Sequence, residues 1–399
     1  MALLVVNVKT MKKLIIALLP FAAFANISDV IGHYTPIEPT PPPSTIQAIE
    51  TPSQIDKNLC EITATYSPLA NNSVDIIVDV EFLWWYSNVT NLSYGTKRNV
   101  IPIESQVAQN STMLAATKKQ EFNRKWNPAF RIGFGIAGFQ DGWDLYSNWT
   151  YYHSHESTSK SVAPLSGGTL QSVGTEVYTS SWLPGPNDIT FSKLSAHLQL
   201  LYNQFDLTLG RKFWISTALG LHPYMGLRGF YSQLFFRLKG TRPDHNTATV
   251  TDFRQSTQAK QKLYGVGLLA GTDANWHFHT NWSIITSGAV SLTYGKYQVT
   301  TRLDSIGLFD NSGNIAVESH SKTPDNTYGV QTFIDCAIGL SWEDTYYQKA
   351  IRLKFDAAWE TQLKIDYHRL HWPNVYYDYP GINGNLVLSG LVLRGRIDF

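Results

Sequence analysis

The residues with the most chemical potential in this sequence are charged side chains set two apart inside apolar runs. Asp79 and Glu81 alternate with Val78, Val80, Phe82 and Trp84. Arg352, Lys354, Asp356 and Glu360 alternate with Leu353, Phe355, Ala357 and Trp359. Arg394, Arg396 and Asp398 alternate with Leu393, Ile397 and Phe399, and Arg131, Arg228, Asp273 and Asp335 take the same phase in other segments. A period of two puts such charges on one face of a strand and the apolar residues on the other. Two kinds of chemistry follow. Charges around a water-filled interior tune conductance and ion selectivity. In a narrow interior the same charges pair across the space and brace it. These positions hold Arg and Lys in nearly equal number to Asp and Glu, so the sequence predicts no strong ion preference.

Other motifs carry less. Gly133-Phe134-Gly135-Ile136-Ala137-Gly138 has dinucleotide-fingerprint spacing, but that chemistry needs a strand–turn–helix context. Here the glycines interrupt an alternating strand and Asp141-Gly142 follows as a turn, so they are expected to make room on the Arg131 face. Gly265, Gly267 and Gly271 repeat the device. His153, His155 and Glu156, and the pair His368 and His371, lack a fixed third ligand. His153, Asp188 and His371 have no spacing that makes them converge as a catalytic set. There is no H-E-x-x-H, C-x-x-C or P-loop pattern. No catalytic residue, metal or cofactor is therefore expected.

The elements that must position these charges are strands. Ten are expected, at about 74–86, 128–139, 143–153, 191–208, 216–238, 262–276, 282–300, 327–343, 350–365 and 386–399, with segments near 92–99 or 367–378 able to raise the number to twelve. Connections alternate between short (Gln140-Asp141-Gly142, 209–215, 277–281, 344–349) and long and polar (87–127, 154–190, 239–261, 301–326, 366–385). Short turns at one end and long loops at the other are how outer-membrane barrels are built. Trp143, Trp276, Trp282 and Trp342 fall near short turns, while Trp84, Tyr151, Tyr231, Tyr294 and Trp359 fall toward the loops, as two aromatic girdles would. The sequence thus predicts an all-β chain, a transmembrane antiparallel barrel with periplasmic turns and extracellular loops.

Composition and the N-terminal region agree. Charged residues make up 16% of the 399, against roughly a quarter in soluble proteins, and 13% are aromatic. With 32 basic and 31 acidic residues, nucleic acid is not an expected partner. Met11-Lys12-Lys13, the apolar run Leu14–Phe21 and Ala23-Phe24-Ala25 read as a signal peptide cut after Ala25, preceded by a short extension. Residues 26–73 include a Pro- and Thr-rich stretch (35–56) and are expected to be a periplasmic segment, with the barrel over 74–399. Cys60 and Cys336, the two cysteines, are expected to be free thiols.

Longer stretches carry a family resemblance. Phe130-Arg131-Ile132-Gly133-Phe134-Gly135 followed by Asp141-Gly142-Trp143-Asp144-Leu145-Tyr146-Ser147-Asn148-Trp149-Thr150-Tyr151 resembles the central signature of the Legionella-type major outer membrane protein family. Pro223-Tyr224-Met225-Gly226-Leu227-Arg228-Gly229, Tyr264-Gly265-Val266-Gly267, Asp273-Ala274-Asn275-Trp276, Tyr294-Gly295-Lys296, Gly339-Leu340-Ser341-Trp342 and Arg394 to Phe399 continue it in order. The family also occurs in environmental chlamydiae such as Waddlia. The resemblance implies an abundant pore-forming surface protein of the outer membrane, sometimes linked to host-cell attachment, with no catalytic residues to carry over. The expected function is passive diffusion of small solutes and ions, with loops 87–127 and 154–190 forming the constriction. A surface adhesin is the alternative and a rim-sited enzyme the third reading. Expected partners are outer-membrane lipid and lipopolysaccharide, the barrel-assembly machinery through the terminal Phe399, further copies of the chain, and a host-cell surface.

Overall fold

The computed structural model describes residues 75–102, 112–123, 125–139, 143–162, 176–184, 190–242, 253–306, 308–309, 315–316, 319–346, 351–373 and 382–399. The expected signal peptide, the Pro-rich segment, Cys60, the turn 140–142 and Asp188 lie outside the described residues. No described helix is long and apolar enough to cross a membrane.

Ten strands follow in chain order: β1 (Asp75–Val89), β2 (Trp126–Phe139), β3 (Trp143–Ser161), β4 (Lys193–Arg211), β5 (Leu219–Arg242), β6 (Phe253–His277), β7 (Trp282–Ile306), β8 (Ser319–Tyr346), β9 (Ile351–Leu370) and β10 (Ile382–Asp398). Each pairs antiparallel with its chain neighbour, and β10 pairs back onto β1 from Ile77↔Asp398 to Val89↔Leu386. The sheet therefore closes into a ten-stranded antiparallel barrel. Closure matters because lipid offers no partner to an unpaired backbone N–H or C=O. Phe399 completes the seam through N–H and C=O bonds to Ile76 at 3.0 and 2.6 Å.

The outward face identifies the lipid-facing band. Leu268 is 71% exposed and Met225 66%, with Val80, Phe82, Val266, Leu292, Val330 and Ile338 also exposed. So continuous an apolar wall is untenable in water and suits hydrocarbon. On β3 the outward Trp143 and Tyr151 stand eight positions apart, about 27 Å along the strand at 3.4 Å per residue. That matches an apolar band of about 25 Å.

The strands run longer than hydrophobic alternation indicates. β3 continues to Ser161, β6 starts at Phe253 and β8 at Ser319. Their outward residues there are polar, such as Ser256, Gln258 and Lys260, so the apolar signal stops where the strand leaves lipid while the pairing goes on. The additional strand expected near 92–99 exists as Gly95–Pro102, but it lies outside the barrel. It pairs with Thr112–Gln120 and Glu176–Thr179 in a separate three-stranded sheet at the loop end. The barrel count stays at ten, and residues 367–370 extend β9.

Candidate functional site: the barrel lumen

The inward residues form two layers. In the half nearer the short turns the strands present charge, because water and not lipid must be faced there. Arg131 on β2 reaches Glu81 on β1 (Nη1–Oε2 2.7 Å) and Glu360 on β9 (Nη2–Oε1 2.9 Å), and its Nε donates to Thr150 at 2.8 Å. Arg394 on β10 meets the other oxygen of Glu81 at 2.5 Å and Asp356 at 3.5 Å. Across the barrel, Arg228 on β5 donates twice to Asp206 on β4, at 2.8 and 2.9 Å, and once to Asp335 on β8 at 2.6 Å. Nearer the turns, Asp398 holds Arg352 and Arg396. His222 lies between Asp144 at 2.8 Å and Asp273 at 3.5 Å. The guanidinium groups of Arg131, Arg394 and Arg228 are thus each shared by carboxylates from two other strands, the fork geometry for which Arg is suited.

These side chains surround a cavity of about 260 Å³. Long charged side chains enter from β1, β2, β5, β9 and β10, while Ser287 and Ala289 on β7, Ala337 on β8 and Ala358 on β9 leave the volume open. Gly133 does what its spacing predicts. A Cβ there would collide with the Tyr146 hydroxyl and the Asp79 carboxylate, which are joined by a 2.5 Å hydrogen bond.

Above this layer the lumen turns dry. Leu83, Trp85, Tyr152, Leu200, Tyr202, Leu234, Phe236, Leu263, Tyr297, Phe333, Tyr367 and Leu388 point inward and are buried in one cluster. The boundary between layers is made of cations against rings: Arg131 lies 5.7 Å from the Trp85 centroid, Arg228 5.9 Å from Phe333, and Lys364 Nζ 4.2 Å from Tyr202. Lys364 is fully buried there, and its ammonium donates to Gln362 Oε1 at 2.7 Å.

The two longest loops close the mouth over this cluster. Leu92, Tyr94 and Phe122 come from the β1–β2 connection, and Trp182, Leu183 and Phe191 from the β3–β4 connection. Trp182 packs 4.6 Å from Phe236 and Phe122 lies edge-on to it at 6.1 Å. The indole N–H of Trp182 donates to Ser93 O at 3.0 Å, the Thr257 hydroxyl to Trp182 O, and the Gln255 amide to Pro184 O at 2.8 Å. The cap is therefore fastened to β6 through backbone carbonyls of the second loop.

Of the thirteen charged residues singled out by alternation, twelve (Asp79, Glu81, Arg131, Arg228, Asp273, Asp335, Arg352, Lys354, Asp356, Glu360, Arg394 and Arg396) border the cavity, and the thirteenth, Asp398, pairs with Arg352 and Arg396 outside its lining. Sequence reasoning missed Asp144, Asp206, Lys212, His222 and Lys364. Asp206 and Lys364 had the same signal, since each alternates with outward apolar neighbours: Phe205 and Leu207, Leu363 and Ile365. His222 had none. The histidine-rich motif splits, with His153 and His155 outward and Glu156 inward. His153 bonds Gln199 and His371 bonds Asp325, without forming a common site. Cys336 is a free thiol on the outward face.

Solved outer-membrane barrels align along most of the chain at low identity. The outer membrane protease OmpT from Escherichia coli shares 13% identity over 82% of this chain and 96% of its own, with a TM-score of 0.31. A FadL homologue from Pseudomonas aeruginosa shares 8% over 82% and 90%, with a TM-score of 0.24. OccAB1 from Acinetobacter baumannii shares 6% over 85% and 99%, with a TM-score of 0.15. Likenesses this remote say nothing about activity. No curated protein matches the chain. One family model does, that of the Legionella pneumophila major outer membrane protein precursor, and it spans residues 66–399. With a closed barrel, a lipid-facing apolar wall and that match over most of its length, the chain belongs to the Legionella major outer membrane protein family, a protein of the bacterial outer membrane.

Proposed function

We propose that the barrel passes small polar solutes and ions through its charged half, and that at rest the loop cap and the aromatic layer close its outer mouth. The observation that carries this reading is the cavity of about 260 Å³, bordered by charged side chains from β1–β6 and β8–β10 with alanine and serine between them. A barrel meant only as a filled peg has no use for alanine and serine facing a space among ionised groups. Passage needs the cap to move, and the cap is joined to the barrel at a separable place. Val162 N donates to Ser192 O at 2.9 Å, so β3 and β4 already meet where the second loop leaves. Replacing residues 163–190 by an Asn-Gly turn should keep the barrel and remove Trp182 and Leu183 from the mouth. In planar bilayers the parent should open rarely and the shortened protein conduct steadily. A shortened protein that folds and stays silent would overturn the reading. The reading involves no catalytic step.

A surface-binding role is the second reading, favoured by the filled outer half, which presents the three-stranded sheet of Gly95–Pro102, Thr112–Gln120 and Glu176–Thr179 on a rigid base. Host-cell attachment by the parent, lost in the shortened protein, supports it; equal attachment by both removes the sheet as the binding element.

A further inference from the structure

The outer wall carries a feature that the lumen does not use. On β5, β6 and β7, just beyond the aromatic girdle, the outward positions become basic. Tyr231, Tyr264 and Lys296 share one cross-strand row, with Tyr328 beside Lys296 on β8. The next outward positions on β6 are Lys262 and Lys260, both exposed, and Arg237 on β5 follows one row further out. Lys260 and Lys262 alternate on one strand, and Lys262 is diagonal to Lys296 on the next. Diagonal neighbours lie about 7–8 Å apart, so a tetrahedral anion can bridge Lys262 to either flanking lysine; Lys296 Nζ rests 5.6 Å from the Tyr328 ring and reaches the anion by swinging off it. None of these three lysines has a carboxylate partner among the described residues. The nearby outward acid, Asp304, is engaged by Arg302 at 2.9 Å and His320 at 2.6 Å. Gln233 and Gln298 flank Lys262 with amide donors, Gln258 follows Lys260 on β6, and Phe235 and Thr300 stand opposite Lys260.

The patch is one-sided. On β9, β10 and β1, the outward residues next beyond Trp359, Leu391 and Trp84 are Thr361, Leu363, Val387, Asn88 and Tyr86, all uncharged. A general preference for interfacial cations would ring the barrel. A ligand with a fixed address would not.

We propose that this face of β5–β7 is a binding site for a phosphorylated glycolipid of the outer leaflet, with its phosphate held by Lys260, Lys262 and Lys296. Its acyl chains would lie down the apolar wall below Tyr264, along Val266 and Leu268, which are 61% and 71% exposed. Charge and position together select the ligand. Free phosphate satisfies the ammonium groups alone, whereas a lipid also covers the wall directly beneath them. Attraction of anionic lipid scales with the number of lysines at the surface.

The test uses the refolded mature protein in neutral detergent, with lipid A as probe and binding read by native mass spectrometry. Binding of lipid A should be clearly tighter than that of its dephosphorylated form. The triple substitution K260Q/K262Q/K296Q should weaken it about a hundredfold. K118Q/K119Q, in the three-stranded sheet, should leave it unchanged. Folding of each variant is checked by its heat-modifiable gel shift; if the triple variant does not fold, the salt dependence of the parent's binding replaces it, and a flat response counts against the site. Equal binding by parent and triple variant would overturn the proposal, as would equal binding of dephosphorylated lipid. Full displacement of lipid A by millimolar inorganic phosphate would also overturn it, because the site would then be an anion site without a lipid component.

Discussion

Arg228 shows how the lumen is held. Its guanidinium is nearly buried and touches two carboxylates, Asp206 on the adjacent β4 and Asp335 across the lumen on β8. Replacing a whole buried ionic group by apolar residues is often neutral, whereas removing one partner strands the others. Arg228→Met leaves two acids facing an aromatic floor, and a loss of about 3–5 kcal/mol is expected. The temperature at which the compact band disappears on a semi-native gel should fall markedly. Adding D206N and D335N should recover most of the loss; no recovery would mean that Arg228 acts through packing on Phe333 rather than through charge. Alternation found Arg228 and Asp335, because a charge at an inward position stands out among apolar outward neighbours. It gave no hint of His222, whose partners Asp144 and Asp273 come from strands distant in sequence.

At the scale of the element, a single strand changes character along its length. In β4 the inward residues Leu194, Ala196, Leu198, Leu200 and Tyr202 are apolar and the outward His197 and Gln199 polar. Past Asn203 the relation inverts: Phe205, Leu207 and Leu209 face out while Gln204, Asp206 and Thr208 face in. The backbone keeps its phase and the surroundings swap, lipid outside one half and a dry core inside the other. This explains what was legible in the sequence. The ten strands could be read from the lipid-facing half, where apolar alternation is strong. The outer extensions read as loops because their apolar residues sit on the opposite face, and the cap residues Tyr94, Phe122 and Trp182 belong to no periodic run.

Glu156 sits in such an extension of β3, five positions beyond Tyr151, pointing inward against this dry region. Burial pushes its carboxyl up to about 7, with the charge and a backbone hydrogen bond of Lys125 only partly opposing. The folded state therefore holds a proton that the unfolded chain gives up near 4.5. The associated stability is complete below that pH and is lost as pH climbs through about 7. Amide protection in the outer part of β3, taken relative to the intrinsic base-catalysed exchange rate, should fall between pH 5 and pH 8 in the parent but not in Glu156→Gln. An identical pH response in both proteins would assign it to another group.

Taken whole, the barrel has a lumen of nearly balanced charge. Asp79, Glu81, Asp144, Asp206, Asp273, Asp335, Asp356 and Glu360 border the cavity against Arg131, Lys212, Arg228, Arg352, Lys354, Arg394 and Arg396, eight acids to seven bases. Each sign is shared between partners, leaving little net field to sort ions. With the cap shortened, the reversal potential in a tenfold KCl gradient should lie within about 15 mV of zero, well short of the roughly 59 mV that tenfold gradients give a perfectly selective one-electron-charge carrier. A value near either extreme would mean that one sign dominates the narrowest section.

The inversion within β4 has a bearing on how the protein tolerates losing its membrane. The outer stretch of the cylinder is organised like an ordinary water-borne domain, apolar within and polar without, and so owes little to the bilayer. Stripping detergent should then glue molecules together through the greasy waist while leaving the exposed crown intact. Antibodies raised against that crown would go on recognising aggregates long after the barrel had left its membrane.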